Sequence, residues 1–244
     1  MPILLFFNKK KTILRDLVPE GYIDIHSHLL PGIDDGAKNM EDSRYLINSL
    51  HEIGFNEIIT TPHIINTVWD NTADGIINKR QETQRELDLK IPFKAAAEYM
   101  MDDSFSRLFK NEKLLTLKDN YVLVEMSYLN APMQLYDILF ELQVSGYKPV
   151  LAHPERYVFY HKNFNEYTKL KKAGCLFQLN LLSTVGYYGE GVLEAAQQLL
   201  GKGMIDFTGS DVHHKNHVAA FDSKIKLKES IVLKEAMERN IFFR

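Results

Sequence analysis

Short runs of apolar residues alternate along this chain with longer stretches in which apolar positions recur every three or four residues. The first pattern predicts β-strands and the second amphipathic helices. Residues 22–26 read as a strand, and residues 40–53 as an amphipathic helix stopped by Gly54. The next strand, 57–61, ends in Pro62-His63, and a polar helix follows around residues 78–88. Further strands fall at 93–97, ending at Glu98, and at 121–124, ending at Glu125. A helix around 134–144 precedes a strand at 149–152 that ends at His153. The last two strands are 175–179 and 205–208, the latter leading to Asp211 and His213. About seven strands alternating with helices at a period of roughly 30 residues imply parallel βα units. An open doubly wound sheet and a barrel both satisfy that pattern. Imidazoles and carboxylates recur at the strand C-termini, and only a barrel brings the first and last strand ends to one mouth. An α/β barrel is therefore expected.

Composition narrows the partners. At 244 residues the chain fits one large α/β domain, expected over residues 21–244. Its net charge of −3, with both signs interspersed, disfavours a nucleic-acid backbone as partner. The apolar start, residues 1–7, is followed by Lys9, Lys10 and Lys11. It falls far short of the roughly 20 residues that span a bilayer, and its basic residues lie on the wrong side for a secretory signal. Residues 1–20 are read as an extension packing on the domain. The one cysteine, Cys175, cannot form an internal disulfide, which fits a reducing, cytoplasmic location.

Chemistry enters with Asp24-Ile-His-Ser-His28, where two imidazoles one residue apart point the same way out of an extended backbone. A Gly-rich turn with Asp34 and Asp35 follows. The strand-end set is His26, His28, Asp35, His63, Glu98, Glu125, His153, Asp211 and His213. These groups cannot all face one mouth unpaired, because desolvation and like-charge repulsion would be prohibitive. Divalent cations resolve the conflict. Mixed N/O ligation suits Mn, Fe, Zn or Mg, and the set is too large for one ion but natural for two or three. Asp24 and Asp34 are better placed to orient imidazoles than to ligate. His51 and His161 read as solvated or capping residues. Cys175 sits in an apolar run with no arginine nearby, so it reads as core, not as a phosphatase nucleophile.

Taken together, Asp-Ile-His-Ser-His-x-Leu-Pro-Gly-Ile-Asp-Asp-Gly, Thr-Pro-His63, Ala-Ala-Glu98, Val-Glu125, Ala-His153-Pro-Glu-Arg156 and Gly-Ser-Asp211-Val-His213 resemble the PHP (polymerase and histidinol phosphatase) superfamily. Within it they most resemble the bacterial capsule-type (CpsB/CapC-like) protein-tyrosine phosphatases. The resemblance implies a distorted (β/α)7 TIM-like barrel holding three metals, most often manganese. One would lie on His26, His28, Glu98 and Asp211. Glu98 would bridge to a second on Glu125 and His153, and a third would lie on Asp35, His63 and His213. It also implies a tyrosine kinase of capsule or exopolysaccharide export as protein partner. Assembly into a homo-oligomer is left open.

Hydrolysis of a phosphate ester follows on physical grounds as well. Closely spaced divalent ions lower the pKa of a bridging water, so that hydroxide can attack near neutral pH. Arg156 is placed to hold the equatorial oxygens with a two-pronged guanidinium; its plain alternative is a surface salt bridge with Glu155. Many relatives carry a second arginine after the Asp-x-His motif. Here that segment offers His214, Lys215 and His217, for which contact with substrate and exposure to solvent are equally open readings. Trp69, in a polar loop beside His63, is expected to form a rim for the substrate ring, or else to pack the barrel's edge. The competing functions are hydrolysis of a small phosphate ester such as histidinol phosphate, and a metal-loaded binding module without turnover. The latter would be marked by a missing ligand or a missing Arg156, and neither is missing.

Overall fold

The structure is a computed structural model that describes residues 12–244. Most of the N-terminal stretch read as a packing extension, residues 1–11, lies outside the described residues. Of the remainder, Leu14 is fully buried in the core, and Ile13 bridges to Lys224. No helix among the described residues is long and apolar enough to cross a membrane.

The chain begins β1 (Tyr22–Asp24), α1 (Met40–Ile53), β2 (Phe55–Thr60), β3 (His63–Ile64), α2 (Ala73–Leu87), β4 (Phe93–Ala95) and β5 (Glu98–Met100). Then follow α3 (Asp103–Asn111), β6 (Tyr121–Glu125), α4 (Leu135–Val144), β7 (Lys148–Ala152), α5 (Asn165–Lys172), β8 (Leu176–Asn180), α6 (Glu190–Gly201), β9 (Phe207–Gly209), α7 (Lys215–Ala220) and α8 (Ile231–Glu238). All strand pairs are parallel, in the orders β1-β2-β4 and β3-β5-β6-β7-β8-β9. Near-continuous apolar runs such as Tyr121–Glu125 suit strands covered on both faces, and all but the first residue of that strand is buried.

Helix α1 has the expected bounds for local reasons. Asn39 accepts from Asp42 N at 2.9 Å, and Gly54 ends the helix at φ 114°, where a side chain would be strained. Helix α2 starts earlier than its polar pattern suggested, because Thr72 caps it by accepting from Gly75 N. The reading 57–61 corresponds to β2 and 93–97 to β4; after Thr61-Pro62 and Ala96-Ala97 the chain resumes as β3 and β5, two short strands the pattern did not show, and Pro62 has no N–H to donate to a ladder. Backbone bonds still cross these breaks, from Ala96 N to Thr60 O at 2.9 Å and from Glu98 N to Pro62 O at 3.2 Å.

The first and last strands meet as well. Asp211 N donates to His26 O at 2.7 Å, His28 N donates to Val212 O at 2.9 Å, and Ser27 bridges Val212 in parallel. Apart from the main core, a compact apolar cluster gathers Ile23, Ile59, Leu123, Val150 and Phe207 from strands of both sheets, with Phe243 from the C-terminus.

Candidate metal centre

The polar set lies at strand ends. His26 and His28 leave β1, His63 opens β3, Glu98 opens β5, Glu125 ends β6, and His153 follows β7. Asp211 and His213 follow β9. Asp211 and His153 hold φ of 50° and 36°, uncommon for residues other than glycine, so the strand-end backbone is bent locally to aim both side chains. Two glycines let the chain pass close by. A Cβ on Gly36 would lie 2.1 Å from His28 O, and one on Gly209 would lie 2.6 Å from the His26 Cβ.

Four atoms converge first. His26 Nε2 lies 3.1 Å from Glu98 Oε2, 3.2 Å from Asp211 Oδ1 and 3.4 Å from His28 Nε2. His28 Nε2 lies 3.4 Å from Glu98 Oε2 and 3.5 Å from Asp211 Oδ1. His26, His28 and Asp211 present their atoms close enough together to share one ion, while Glu98 joins His26 and His153 in an adjoining group. The outer ring nitrogens are already committed. His26 Nδ1 donates to Gln178 Oε1 at 2.7 Å, and that amide is oriented by its own Nε2 donating to Leu179 O at 2.8 Å. His28 Nδ1 donates to Asp34 Oδ2 at 2.8 Å. Both Nε2 lone pairs are thereby turned inward, as second partners of metal-bound histidines do.

Adjoining groups share these residues. His63 Nδ1 lies 2.8 Å from Glu125 Oε1 and 3.2 Å from Glu98 Oε2, while its Nε2 is 3.5 Å from Asp35 Oδ1. His213 Nε2 is 3.4 Å from the same Asp35 oxygen, and His153 Nε2 is 3.1 Å from Glu98 Oε1. Asp35, His63 and His213 thus come together, with His28 beside them. Glu98, Glu125 and His153 are instead divided between two groups joined at Glu98. His63 Nδ1, Glu98 Oε2 and Glu125 Oε1 are buried and crowd one another without an aligned hydrogen bond. Buried groups of this kind are costly to leave unpaired, and this donor chemistry fits divalent cations.

The electrostatics agree. Burial works against charge on His26, yet Glu98 and Asp211 raise its pKa to about 9. Burial together with the Glu98 charge raises Glu125. Burial, assisted by Arg156, pushes His153 down to about 4. The cluster draws in positive charge, which protons or a divalent ion can provide, so metal binding displaces protons.

Above these groups lies a cleft of about 310 Å³ whose lining includes Asp35, His63, Trp69, Tyr128, Arg156 and His213. Arg156 does not pair with Glu155. Its Nη1 donates to Asp211 Oδ2 at 2.6 Å, and its guanidinium lies 4.8 Å and 4.2 Å from the rings of Tyr128 and Tyr188. Glu155 faces inward, accepting from Ser183 Oγ at 2.7 Å and Asn180 N at 3.0 Å; burial pushes its carboxyl up to about 7. Trp69 stacks on His63 with centroids 4.8 Å apart, held by a reciprocal backbone pair with Ile65. His214 and Lys215 are exposed and line a neighbouring recess that His213 shares with the cleft. His217 is buried behind His213, whose N–H it accepts at 3.2 Å, and it lines neither.

The family described as "Capsular polysaccharide synthesis, CpsB/CapC" matches residues 22–237. The chain belongs to this family. A relative in it, the tyrosine-protein phosphatase CpsB of Streptococcus pneumoniae, is 30% identical over 204 residues, covering 79% of this chain and 83% of that protein. A crystal structure from the work on YwqE of Bacillus subtilis and CpsB of Streptococcus pneumoniae, metal-dependent tyrosine phosphatases, matches with a TM-score of 0.76 at 28% identity. It covers 87% of this chain and 86% of that one. The fold alone is shared with a histidinol phosphate phosphatase of Lactococcus lactis, at 12% identity and a TM-score of 0.54, over 89% of this chain and 94% of that one.

Several residues of this CpsB/CapC-type site escape a reading of the sequence. Gln178 stands in an otherwise apolar strand, a polar exception that could have flagged it. Asn180, donating to Asp211 Oδ2 at 2.8 Å, ends the same strand. Tyr128 and Tyr188 lie in loops and carry no comparable signal. Asp34 orients His28 as expected, whereas Asp24 binds Ser210 N and Oγ and no imidazole. Cys175 is buried, and burial pushes its thiol up to about 12. Cys175→Ala should therefore keep full phosphatase activity, and the native thiol should resist alkylation at pH 8. Loss of turnover in that variant, with its melting temperature unchanged, would overturn the assignment of Cys175 to the core.

Proposed function

We propose that the chain is a metal-dependent protein-tyrosine phosphatase, holding two or three divalent ions on His26, His28, Asp35, His63, Glu98, Glu125, His153, Asp211 and His213. The observation that carries this is the convergence of His26 Nε2, His28 Nε2, Glu98 Oε2 and Asp211 Oδ1, with both outer Nδ1 atoms committed elsewhere. Manganese is the first choice of ion, with iron, zinc and magnesium compatible with the same donors. Ions bound there supply Lewis-acid charge beside the phosphoryl group and lower the pKa of adjacent water.

The chain's own residues do the rest. Arg156, clamped between two tyrosine rings, uses the N–H donors not spent on Asp211 to hold phosphoryl oxygens. Trp69, fixed against His63, walls the cleft where the substrate ring enters. Tyrosinate leaves with a pKa of about 10, so its departure needs no strong acid. Lys215 and His214 lie beside the cleft in reach of the peptide around the phosphotyrosine, and His217 supports His213.

The same reading takes the two sheets as arcs of one distorted (β/α)7 barrel within a single domain over residues 21–244. It is supported by the β1–β9 contacts, by the ladder bonds across the breaks after β2 and β4, and by the apolar cluster drawn from both sheets. We take the phosphoprotein to be a tyrosine kinase of capsule or exopolysaccharide export, in keeping with a family described by capsular polysaccharide synthesis, and the lone buried cysteine suits a cytoplasmic setting.

The test is hydrolysis of phosphotyrosine peptides, phosphoserine peptides and histidinol phosphate, with manganese and with a chelator. Phosphotyrosine peptides should be preferred and the chelator should abolish turnover. Activity on histidinol phosphate alone would sink the protein-phosphatase reading; activity that survives chelation would sink the metal.

A further inference from the structure

A second recess opens directly beside the metal cleft. It has a volume of about 190 Å³ and shares Trp69 and Met100 with the cleft, so these two side chains form a common wall. Its floor is apolar, made by Ile64, Tyr99, Phe105 and Leu108. Separate small-molecule sites run to roughly 300–1,000 Å³, so this volume suits one large side chain better than a free ligand. No lysine or arginine lines it, while Asp70 and Asp102 do, beside Asn66, Asn71 and Ser104. Asp102 and Ser104 in turn border an open recess that includes Met133, which is wholly exposed. The cleft, this recess and the open one at the start of α3 therefore adjoin in sequence through shared walls.

We propose that this recess is a specificity subsite, receiving a large apolar side chain that flanks the phosphotyrosine in the substrate peptide. The inference rests on the phosphatase reading, because a phosphotyrosine seated in the cleft carries its neighbouring residues across that shared wall. Burying a leucine or phenylalanine there contributes to transition-state binding only for substrates that possess one. The acidic edge disfavours an acidic residue at the same position.

The experiment compares kcat/KM, with manganese, for free phosphotyrosine and for peptides carrying Leu, Phe, Ala or Asp at each of the three positions on either side of phosphotyrosine. At one position Leu or Phe should exceed Ala by roughly tenfold or more, and Asp should fall below Ala. Ser104→Phe, which fills the recess from the first turn of α3, should erase that preference and leave free phosphotyrosine unaffected. Leu108→Ala, which removes part of the floor, should weaken the leucine peptide selectively and serves if the first variant does not fold. Lack of preference at every position, a preference that survives both variants, or an equal loss on free phosphotyrosine would overturn the subsite. Failure to hydrolyse free phosphotyrosine and every peptide would instead sink the phosphatase reading, and the subsite with it.

Discussion

His28→Ala should lose bound metal and phosphatase activity together, with turnover falling on the order of a thousandfold, about 4 kcal/mol of transition-state stabilisation. The reason is geometric. His28 Nε2 lies 3.4 Å from Glu98 Oε2 and 3.5 Å from Asp211 Oδ1, it groups with His26 and Asp211, and its ring stacks on His213 at 3.9 Å between centroids. Its removal opens the site on the side facing Asp35 and His63. Because His28 is fully buried, a folding defect must be separated from ligand loss. Asp34→Asn does this. It leaves the imidazole in place and weakens the acceptor on Nδ1, along with the bonds Asp34 accepts from Gly36 N and His63 N, so metal affinity should drop roughly 10–100-fold and activity should return at saturating metal. Metal content by elemental analysis, read against the melting temperature, checks both variants. A His28→Ala protein that keeps full metal content and activity would overturn the ligand assignment.

Arg156→Ala should have the opposite signature: metals retained and kcat down by roughly 10²–10³-fold. Asp211 Oδ2 keeps its bond from Asn180 Nδ2 at 2.8 Å when the guanidinium is gone, so Oδ1 stays aimed at the histidines. Arg156→Lys should recover only part of the loss, since an ammonium cannot bond Asp211 and two phosphoryl oxygens in one plane. Metal analysis and steady-state kinetics decide between two roles. If metal content falls in parallel with kcat, Arg156 acts through Asp211 and not on the phosphoryl group.

How much of this was legible depends on how local the physics is. Strand positions 121–124, 149–152 and 175–179 lie within a residue or two of β6, β7 and β8, because parallel strands covered on both faces leave short unbroken apolar runs. The end of helix α1 was readable from Gly54, whose effect operates within one turn. Helices α3 and α5 to α8 were not individually read. Among the polar groups, the recurrence of an imidazole or carboxylate after six of the seven expected strands was visible. The orienting partners were not, since Gln178 lies 152 residues from the histidine it fixes. The partner of Arg156 was also hidden: adjacency suggested Glu155, but a turn of 3₁₀ helix at Pro154–Arg156 turns Glu155 inward and sends Arg156 across to Asp211.

By itself the sequence determined the alternation of strands and helices, the donor set and the family resemblance, because each is written in residue type and spacing over a few positions. Tertiary structure alone decided which nitrogen of each imidazole faces inward, that Glu125 lies with His63 while His153 lies with Glu98, and that an apolar recess adjoins the cleft. Those facts depend on the relative rotation and depth of strand ends far apart in the chain. Packing of the whole fold sets that arrangement, and no local pattern encodes it.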